Sequence, residues 1–140
     1  MARILVVEAD GGSRGNPGES GSGAIVADQA TGELLAEISL YGGIASNNVA
    51  EYKGMIAGVR RAIEIDGDAE LLVRLDSKLV VEQMSGRWKI KHPAMAELAA
   101  EARQILTGTP VRFEWMPRLQ NSRADKLANL AMDLKRDTIR

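Results

Sequence analysis

The sequence predicts one α/β domain with the element order βββαβααβα. Three strand-like stretches fill the first third of the chain, after which the hydrophobic period changes to that of a helix. Two later apolar runs alternate with helical segments. Because no repeat, low-complexity tract or linker divides the chain, residues 1–140 are assigned to a single domain whose last few residues form a frayed tail.

The first predicted strand is apolar and β-branched, and side-chain alternation places Glu8 and Asp10 on the same face. Thr31-Gly32 favours a turn, so the next two strands are expected to be antiparallel. The three predicted strands are Arg3 to Asp10, Gly21 to Ala27 and Glu33 to Tyr41.

A glycine-rich run follows the first strand, Asp10-Gly-Gly-Ser-Arg-Gly-Asn-Pro-Gly18. Glycine leaves the backbone flexible and its polar groups accessible to an anion. We therefore expect a flexible loop beside a carboxylate, a feature that suits phosphate chemistry.

The longest predicted helix runs from about Asn48 to Ile65, where apolar residues recur at helical spacing. A neighbouring stripe contains Glu51, Gly54 and Gly58. Glycine inside a helix costs about 1 kcal/mol relative to alanine, so two of them indicate a close approach by another element. The stripe is expected to press against the sheet near Asp10.

The second half of the chain alternates strands with helices. A buried strand from Leu71 to Leu75 delivers Asp76 at its carboxyl end, where open α/β sheets bind ligands. Ser77 is expected to cap the short helix that follows. The remaining predicted elements are a helix from Pro93 to Leu106, a strand from Val111 to Met116 and a helix from Ser122 to about Leu134.

Four acidic residues lie where predicted strands end or helices begin: Asp10, Glu51, Asp76 and Asp125. Gathered together they would form a metal site, because Mg²⁺ and Mn²⁺ prefer carboxylate oxygens and the charges would repel without a cation. Two such ions about 4 Å apart would activate a water and stabilise the leaving oxygen of a phosphodiester. Taken singly, each residue also has a structural interpretation as a turn former, a helix-end residue or an exposed helix residue.

Neutral polar residues adjoin the same predicted site: Asn16, Ser46, Asn47 and Asn48. Their side chains can bind phosphate oxygens or the ribose hydroxyl that distinguishes RNA from DNA. The alternative is a role in local capping, since Asn47 or Asn48 could start the long helix.

The segment from Gly86 to Pro93 interleaves Trp88 with Arg87, Lys89 and Lys91. This pattern is typical of segments that grip a nucleic-acid backbone and stack on a base or sugar. The alternative is a solvated connector with one anchoring tryptophan. His92 is the only histidine, so we interpret it as structural or substrate-facing rather than as a metal ligand.

Eighteen basic and nineteen acidic residues give a formal net charge of -1, which argues weakly against nucleic-acid binding by the chain as a whole. Local clusters still allow a positive face. The chain has no cysteine, and no apolar stretch reaches membrane-spanning length. We expect a cytoplasmic monomer without membrane contact. The clusters are Lys78, Arg87, Lys89 and Lys91, and Arg112, Arg118, Arg123 and Lys126.

The chain resembles type 1 ribonuclease H, the family that cuts the RNA strand of RNA/DNA hybrids. The resemblance covers nearly the whole chain and its combination of motifs is highly specific. The motifs are the Asp10 to Gly18 run, Asn47-Asn-Val-Ala-Glu51, Asp76-Ser77 and Asn121-Ser-Arg-Ala-Asp125.

The resemblance implies a ribonuclease H-like fold with a five-stranded mixed sheet flanked by helices. It makes the four acidic residues the catalytic and metal-binding set, with two Mg²⁺ or Mn²⁺ ions in the substrate complex and no organic cofactor. The products would carry 5'-phosphate and 3'-hydroxyl ends. The expected substrate-binding residues are Asn16, Ser46, Asn47, Asn48, Lys78, Arg87, Trp88, Lys89 and Arg118.

The chain departs from the family pattern in two places. Many members have a histidine in the loop before the last carboxylate, whereas Met116 to Ser122 contains none and Arg118 is the nearest replacement. The segment after Asp76 is also shorter than a basic, tryptophan-rich handle, with Arg87 to Lys91 as a reduced substitute. Two other functions stay open: a non-catalytic hybrid-binding module, and another nuclease of the same fold such as a junction resolvase.

Overall fold

The structure is a computed structural model that describes residues 2–140. A 3₁₀ turn, Arg118–Gln120, precedes the last helix. The elements in chain order are β1 (Ile4–Arg14), β2 (Gly18–Asp28), β3 (Leu34–Ala45), α1 (Asn47–Ile65), β4 (Glu70–Leu75), α2 (Lys78–Met84), α3 (Pro93–Ile105), β5 (Val111–Trp115), α4 (Ser122–Leu134) and β6 (Thr138–Ile139).

The strands form one mixed sheet in the order β5-β4-β1-β2-β3-β6. β2 pairs with β1 and β3 in antiparallel fashion, whereas β4 runs parallel to both β1 and β5. This mixed sheet with flanking helices confirms the predicted fold class. β1 therefore lies at the junction between the antiparallel and the parallel halves.

The expected count of five strands is wrong by one. The sixth strand, β6, pairs Ile139 with Ile38 and Thr138 with Ser39. It falls in the segment that we expected to be a frayed tail. Two residues are too few to show a strand period in the sequence, so only the pairing partner defines this strand.

The expectation of a flexible glycine loop after Asp10 is also wrong. β1 continues to Arg14 and pairs with β2 throughout, for example Gly11 with Ser22 and Gly12 with Gly21. The turn is confined to residues 15–17, where Gly15 has a φ of 92°. Gly11 is needed for space rather than flexibility, since a Cβ there would overlap the Ala50 backbone of α1.

Helix α1 crosses one face of the sheet directly over β1, which confirms the prediction from the glycine stripe. A Cβ added to Gly54 would lie 2.6 Å from the Asp10 carbonyl oxygen, and one added to Gly58 would overlap a Val7 methyl group. The helix backbone therefore approaches the strand closely, and Glu51 is placed beside Asp10 and Gly11 within β1.

Helix α4 packs on the opposite face, where Gly21 and Gly23 of β2 admit its backbone. Gly23 pairs with Asp10 across β1 and β2, so the Asp10 side chain points toward α4. The main core lies on the α1 face, and its fully buried side chains include Leu5, Val7, Tyr52, Met55, Val59 and Val73. Within residues 2–140, none of the helices combines the length and apolar character needed to cross a membrane.

Candidate active site

Three carboxylates converge where β1, α1 and β4 meet. Asp10 lies just beyond the last residue of β1 that pairs with β4, Asp76 directly follows β4, and Glu51 projects from the start of α1. Each of these side chains offers one oxygen, and the three oxygens lie within 4.8 Å of one another. Their arrangement follows from the parallel pairing, because adjacent parallel strands end at the same edge of the sheet.

Asp125 approaches the same group from α4, where it lies in the first helical turn. Its carboxylate lies near that of Asp10 and adds to the rise in the pKa of Asp10, which is caused mainly by burial. The four predicted acidic residues therefore line one cleft of about 490 Å³. Three of them form its tight centre and Asp125 borders it.

Burial and mutual repulsion raise the pKa values of the three central carboxylates. Burial, followed by the negative charge of Asp76, raises the pKa of Asp10 to about 8. Burial also raises the pKa of Glu51 to about 7 and raises the pKa of Asp76. A bound cation would reverse this effect, since an opposite charge favours the ionised form.

One carboxylate oxygen of Asp76, Oδ2, is buried without a hydrogen-bond partner among residues 2–140. Buried polar atoms are nearly always paired, so an unpaired oxygen within a carboxylate cluster fits a role as a cation ligand. The donor set is made of carboxylate oxygens, the ligands that Mg²⁺ and Mn²⁺ prefer.

Neighbouring groups hold these carboxylates in place. The Gly11 N–H donates to Asp10 Oδ1 at 2.9 Å, and the Trp115 indole N–H donates to the Asp76 carbonyl oxygen at 3.1 Å. Burial dominates the pKa of Glu51, and the nearby Ser77 hydroxyl and the positive charge of Arg118 both lower that pKa against the effect of burial. Arg118 is therefore a cationic residue at the edge of the carboxylate cluster.

The predicted polar residues near the site connect β1 to α1. Asn47 Oδ1 accepts hydrogen bonds from the Ser13 N–H at 2.8 Å and from the Ser13 hydroxyl at 3.1 Å. Asn16 Oδ1 accepts from the Asn47 N–H at 3.1 Å. Ser46 caps α1 by accepting from the Val49 N–H, so Asn47 begins the helix but is not its cap.

The comparisons with known proteins agree with this architecture. Residues 8–131 match the family model described as reverse transcriptase-like. Ribonuclease HI of Halobacterium salinarum is 38% identical over 128 residues, which cover 89% of this chain and 62% of that protein. The chain belongs to the type 1 ribonuclease H family. 

A longer relative contains a similar ribonuclease H domain. The bifunctional protein Rv2228c of Mycobacterium tuberculosis is 53% identical over 132 residues, which cover 92% of this chain but 35% of that protein. The chain thus spans about a third of the length of the first curated relatives that it matches.

Two solved ribonuclease H structures superpose closely. The N-terminal RNase H domain of Rv2228c has a TM-score of 0.90 at 50% identity, covering 95% of this chain and 96% of that one. LC11-RNase H1 in complex with an RNA/DNA hybrid has a TM-score of 0.88 at 38% identity, covering 94% and 98%.

Not all substrate residues expected from the ribonuclease H resemblance meet at the cleft. Asn47 and Arg118 are among its lining residues. Asn16 is exposed at the β1–β2 turn, and Asn48 is half-buried in the first turn of α1. Ser46, the cap of α1, is also half-buried and lies outside the lining. The other four candidates lie outside the lining and are exposed: Lys78 at the start of α2, and Arg87, Trp88 and Lys89 between α2 and α3.

Three polar residues in or beside the carboxylate cleft received no role from the sequence. Asn121 is fully buried and donates from Nδ2 to the Ala9 carbonyl oxygen at 2.8 Å, beside Asp76. Arg14 and Asn129 line the cleft. Asn129 follows Asp125 by four residues, so helical spacing could have revealed it, whereas the burial of Asn121 depends on tertiary packing.

Proposed function

We propose that this chain is a metal-dependent endonuclease that hydrolyses the RNA strand of RNA/DNA hybrids. The observation that carries the proposal is the convergence of Asp10, Glu51 and Asp76 within 4.8 Å, with Asp125 on the same cleft. The hybrid bound by the similar LC11-RNase H1 supports the substrate class. Water would be the nucleophile, and the products would carry 5'-phosphate and 3'-hydroxyl ends.

The acidic residues have distinct proposed roles. Asp10 and Asp76 would hold metal most directly, Glu51 would also bind on the ribose side, and Asp125 would complete a more exposed metal position. We propose Mg²⁺, with Mn²⁺ as a substitute, and two ions in the substrate complex. Such ions would activate the attacking water and stabilise the leaving oxygen.

The polar residues around the cleft would position the hybrid. The Asn47 side chain holds β1 through its oxygen, so its amide nitrogen is the group proposed to meet a ribose hydroxyl or phosphate, together with Asn16, Ser46 and Asn48. Arg118 would counter phosphate charge beside the carboxylates. Lys78, Arg87, Trp88 and Lys89 would add affinity on a second surface.

The alternative of a non-catalytic hybrid-binding module requires that turnover be lost. The four carboxylates share one cleft and their crowding costs stability without a cation, which favours the enzyme. We further propose that residues 1–140 act as one monomeric domain. The cytoplasmic location stays a prediction from the sequence.

The test compares labelled RNA/DNA, RNA/RNA and DNA/DNA duplexes of identical sequence, each with Mg²⁺ or Mn²⁺. We expect cleavage of the RNA strand of the hybrid alone, with little sequence preference, because the proposed contacts reach backbone and sugar groups. Hybrid binding without cleavage would establish the non-catalytic module, and cleavage of DNA/DNA would establish a different nuclease. Single 2'-deoxy substitutions around the cut site should reduce cleavage if ribose hydroxyls are recognised.

A further inference from the structure

The segment from Gly86 to Lys91, here called the basic segment, joins α2 to α3 without forming a helix or strand. It presents Trp88, 46% exposed, beside the exposed Lys89. A connector of this kind would lose conformational freedom on binding a nucleic acid, and that loss weakens affinity. The contacts beneath the segment show that much of its freedom is already removed.

A buried hydrogen-bond chain ties the basic segment to α1. The Tyr52 hydroxyl donates to Gln83 Oε1 at 2.7 Å, and Gln83 Nε2 donates to the Lys89 carbonyl oxygen at 3.3 Å. Tyr52 is fully buried and Gln83 is 3% exposed. A buried amide is costly unless both its ends are paired, so Gln83 is held between these two partners.

A second set of contacts fixes the start of the segment. The Arg87 and Trp88 N–H groups both donate to the Glu82 carbonyl oxygen, at 2.9 and 3.2 Å. The Arg87 guanidinium donates to both Glu82 carboxylate oxygens, at 2.6 and 2.9 Å. Gly86 provides the positive φ of 80° that this tight turn requires.

Gln83 also links the segment to α3 through its backbone. Its carbonyl oxygen accepts from the Arg103 guanidinium at 3.1 Å and from the Gly86 N–H at 3.1 Å. One residue therefore contacts α1, α3 and both ends of the turn. Tyr52 is the neighbour of Glu51 in α1, so the same helix carries a site carboxylate and the tether.

We propose that Gln83 is a positioning residue that presets the basic segment for binding the hybrid. It touches no substrate itself and acts through Lys89, whose carbonyl oxygen it binds, and through the adjacent Trp88. Arg87 is bound by Glu82 and helps to hold this turn, so its contribution to phosphate binding is smaller than that of Lys89. The inference rests on the proposed function, because it assumes a hybrid as the ligand.

The main variant is Gln83→Met, which keeps the side-chain length and removes both hydrogen bonds. We expect KM for hybrid cleavage to rise about fivefold while kcat stays within about twofold, since the loss affects binding alone. The matched control is Gln104→Met, the same change at an exposed position of α3. Its KM and kcat should equal those of wild type.

A double-mutant cycle separates positioning from general destabilisation. In a Trp88→Ala/Lys89→Ala background, Gln83→Met should cause no further rise in KM, because the groups that it positions are absent. An equal rise in both backgrounds would overturn the inference, as would an unchanged KM in folded Gln83→Met. A fall in kcat at constant KM would also overturn it.

Tyr52→Phe provides a second variant if Gln83→Met does not fold, since it removes only one hydroxyl. Its KM should rise in the same direction, by about twofold. An unchanged KM in folded Tyr52→Phe would then overturn the inference. A wild-type chain that neither binds nor cleaves the hybrid overturns the proposed function instead, so the two failures are distinct.

Discussion

The Asp10 side chain is buried, lies near the negative charge of Asp76 and accepts a hydrogen bond from the Gly11 N–H. We expect Asp10→Asn or Asp76→Asn to lower hybrid cleavage by on the order of 10²-fold or more, the size seen when one electrostatic stabiliser is lost. Folding should persist, because asparagine keeps the shape. Steady-state cleavage and circular dichroism of the same samples check both points. Near-normal turnover would remove these residues from the proposed centre.

The raised pKa of Asp10 also makes stability depend on pH. The folded state binds a proton with a pKa of about 8, against an ordinary value of 3.8, so it holds more protons than the unfolded chain between these values. The free energy of unfolding should therefore fall as pH rises from about 4 to about 8 in chelator. The stabilisation that protonated Asp10 contributes is fully present below a pH of 3.8 and is lost above a pH of about 8.

Denaturant unfolding of wild type and Asp10→Asn over this pH range, in chelator, measures the effect. The variant should lose less stability as pH rises and should melt above wild type near pH 8. Mg²⁺ should narrow that gap, because the cation takes over the role of the proton. A difference between the two proteins that is constant with pH would show that Asp10 does not titrate in this way.

At the scale of elements, the crossing of α1 over β1 sets the position of Glu51. Alanine normally stabilises a helix relative to glycine by about 1 kcal/mol. Gly54→Ala should do the opposite and destabilise the chain by about 2 kcal/mol, because its Cβ would lie 2.6 Å from the Asp10 carbonyl oxygen. Thermal and urea unfolding measure the change.

The control for this crossing is Gly67→Ala, where the new Cβ would lie 3.8 Å from its nearest neighbour, the Ile63 carbonyl oxygen. Its stability should change little. Gly54→Ala with the stability of wild type would mean that α1 does not press on β1. A destabilised Gly54→Ala should also lose hybrid cleavage, since Glu51 would be displaced from Asp10.

Glycines also explain why the sequence predicts the packing of α1 correctly and the end of β1 wrongly. Gly54 and Gly58 lie within a segment whose apolar residues clearly indicate a helix, so their presence indicates that another element approaches the helix backbone closely. Gly11 and Gly12 lie in a run that also contains Pro17, and the sequence alone favoured a loop. Only the pairing with β2 shows that these residues extend β1. Strand pairing is a long-range property that local composition does not encode.

For the whole molecule, the predictable part of the site was the set of charges at element ends. Asp10 follows the apolar part of β1 and Asp76 follows β4, and the pairing of these two strands brings the side chains together. The burial of Asn121 could not be predicted, because it depends on which elements pack together. The binding of Arg87 by Glu82 depends instead on the geometry of the turn after α2. The two-residue β6 was missed because it is defined only by its pairing with β3.

A formal net charge of -1 gives the chain no overall attraction to nucleic acid, so hybrid affinity must depend on local cations. Lys89→Ala should lower the slope of log affinity against log salt by about one, the loss of one phosphate contact. Arg87→Ala should lower it less, because the Arg87 guanidinium is held by Glu82. Anisotropy titrations in the Asp10→Asn background at several salt concentrations measure both slopes. Equal reductions would contradict this division of roles.

The indole hydrogen bond from Trp115 to the Asp76 backbone gives the chain an internal optical reporter. The sequence has two tryptophans, so Trp88→Phe leaves Trp115 as the sole indole fluorophore. Adding Mg²⁺ to this variant should alter the Trp115 emission in a saturable way, and Asp76→Asn should abolish the response. If the Trp115 emission does not change at Mg²⁺ concentrations that support cleavage, ion binding at the carboxylates does not affect the indole. A responsive indole would allow ion binding to be followed in real time without a label.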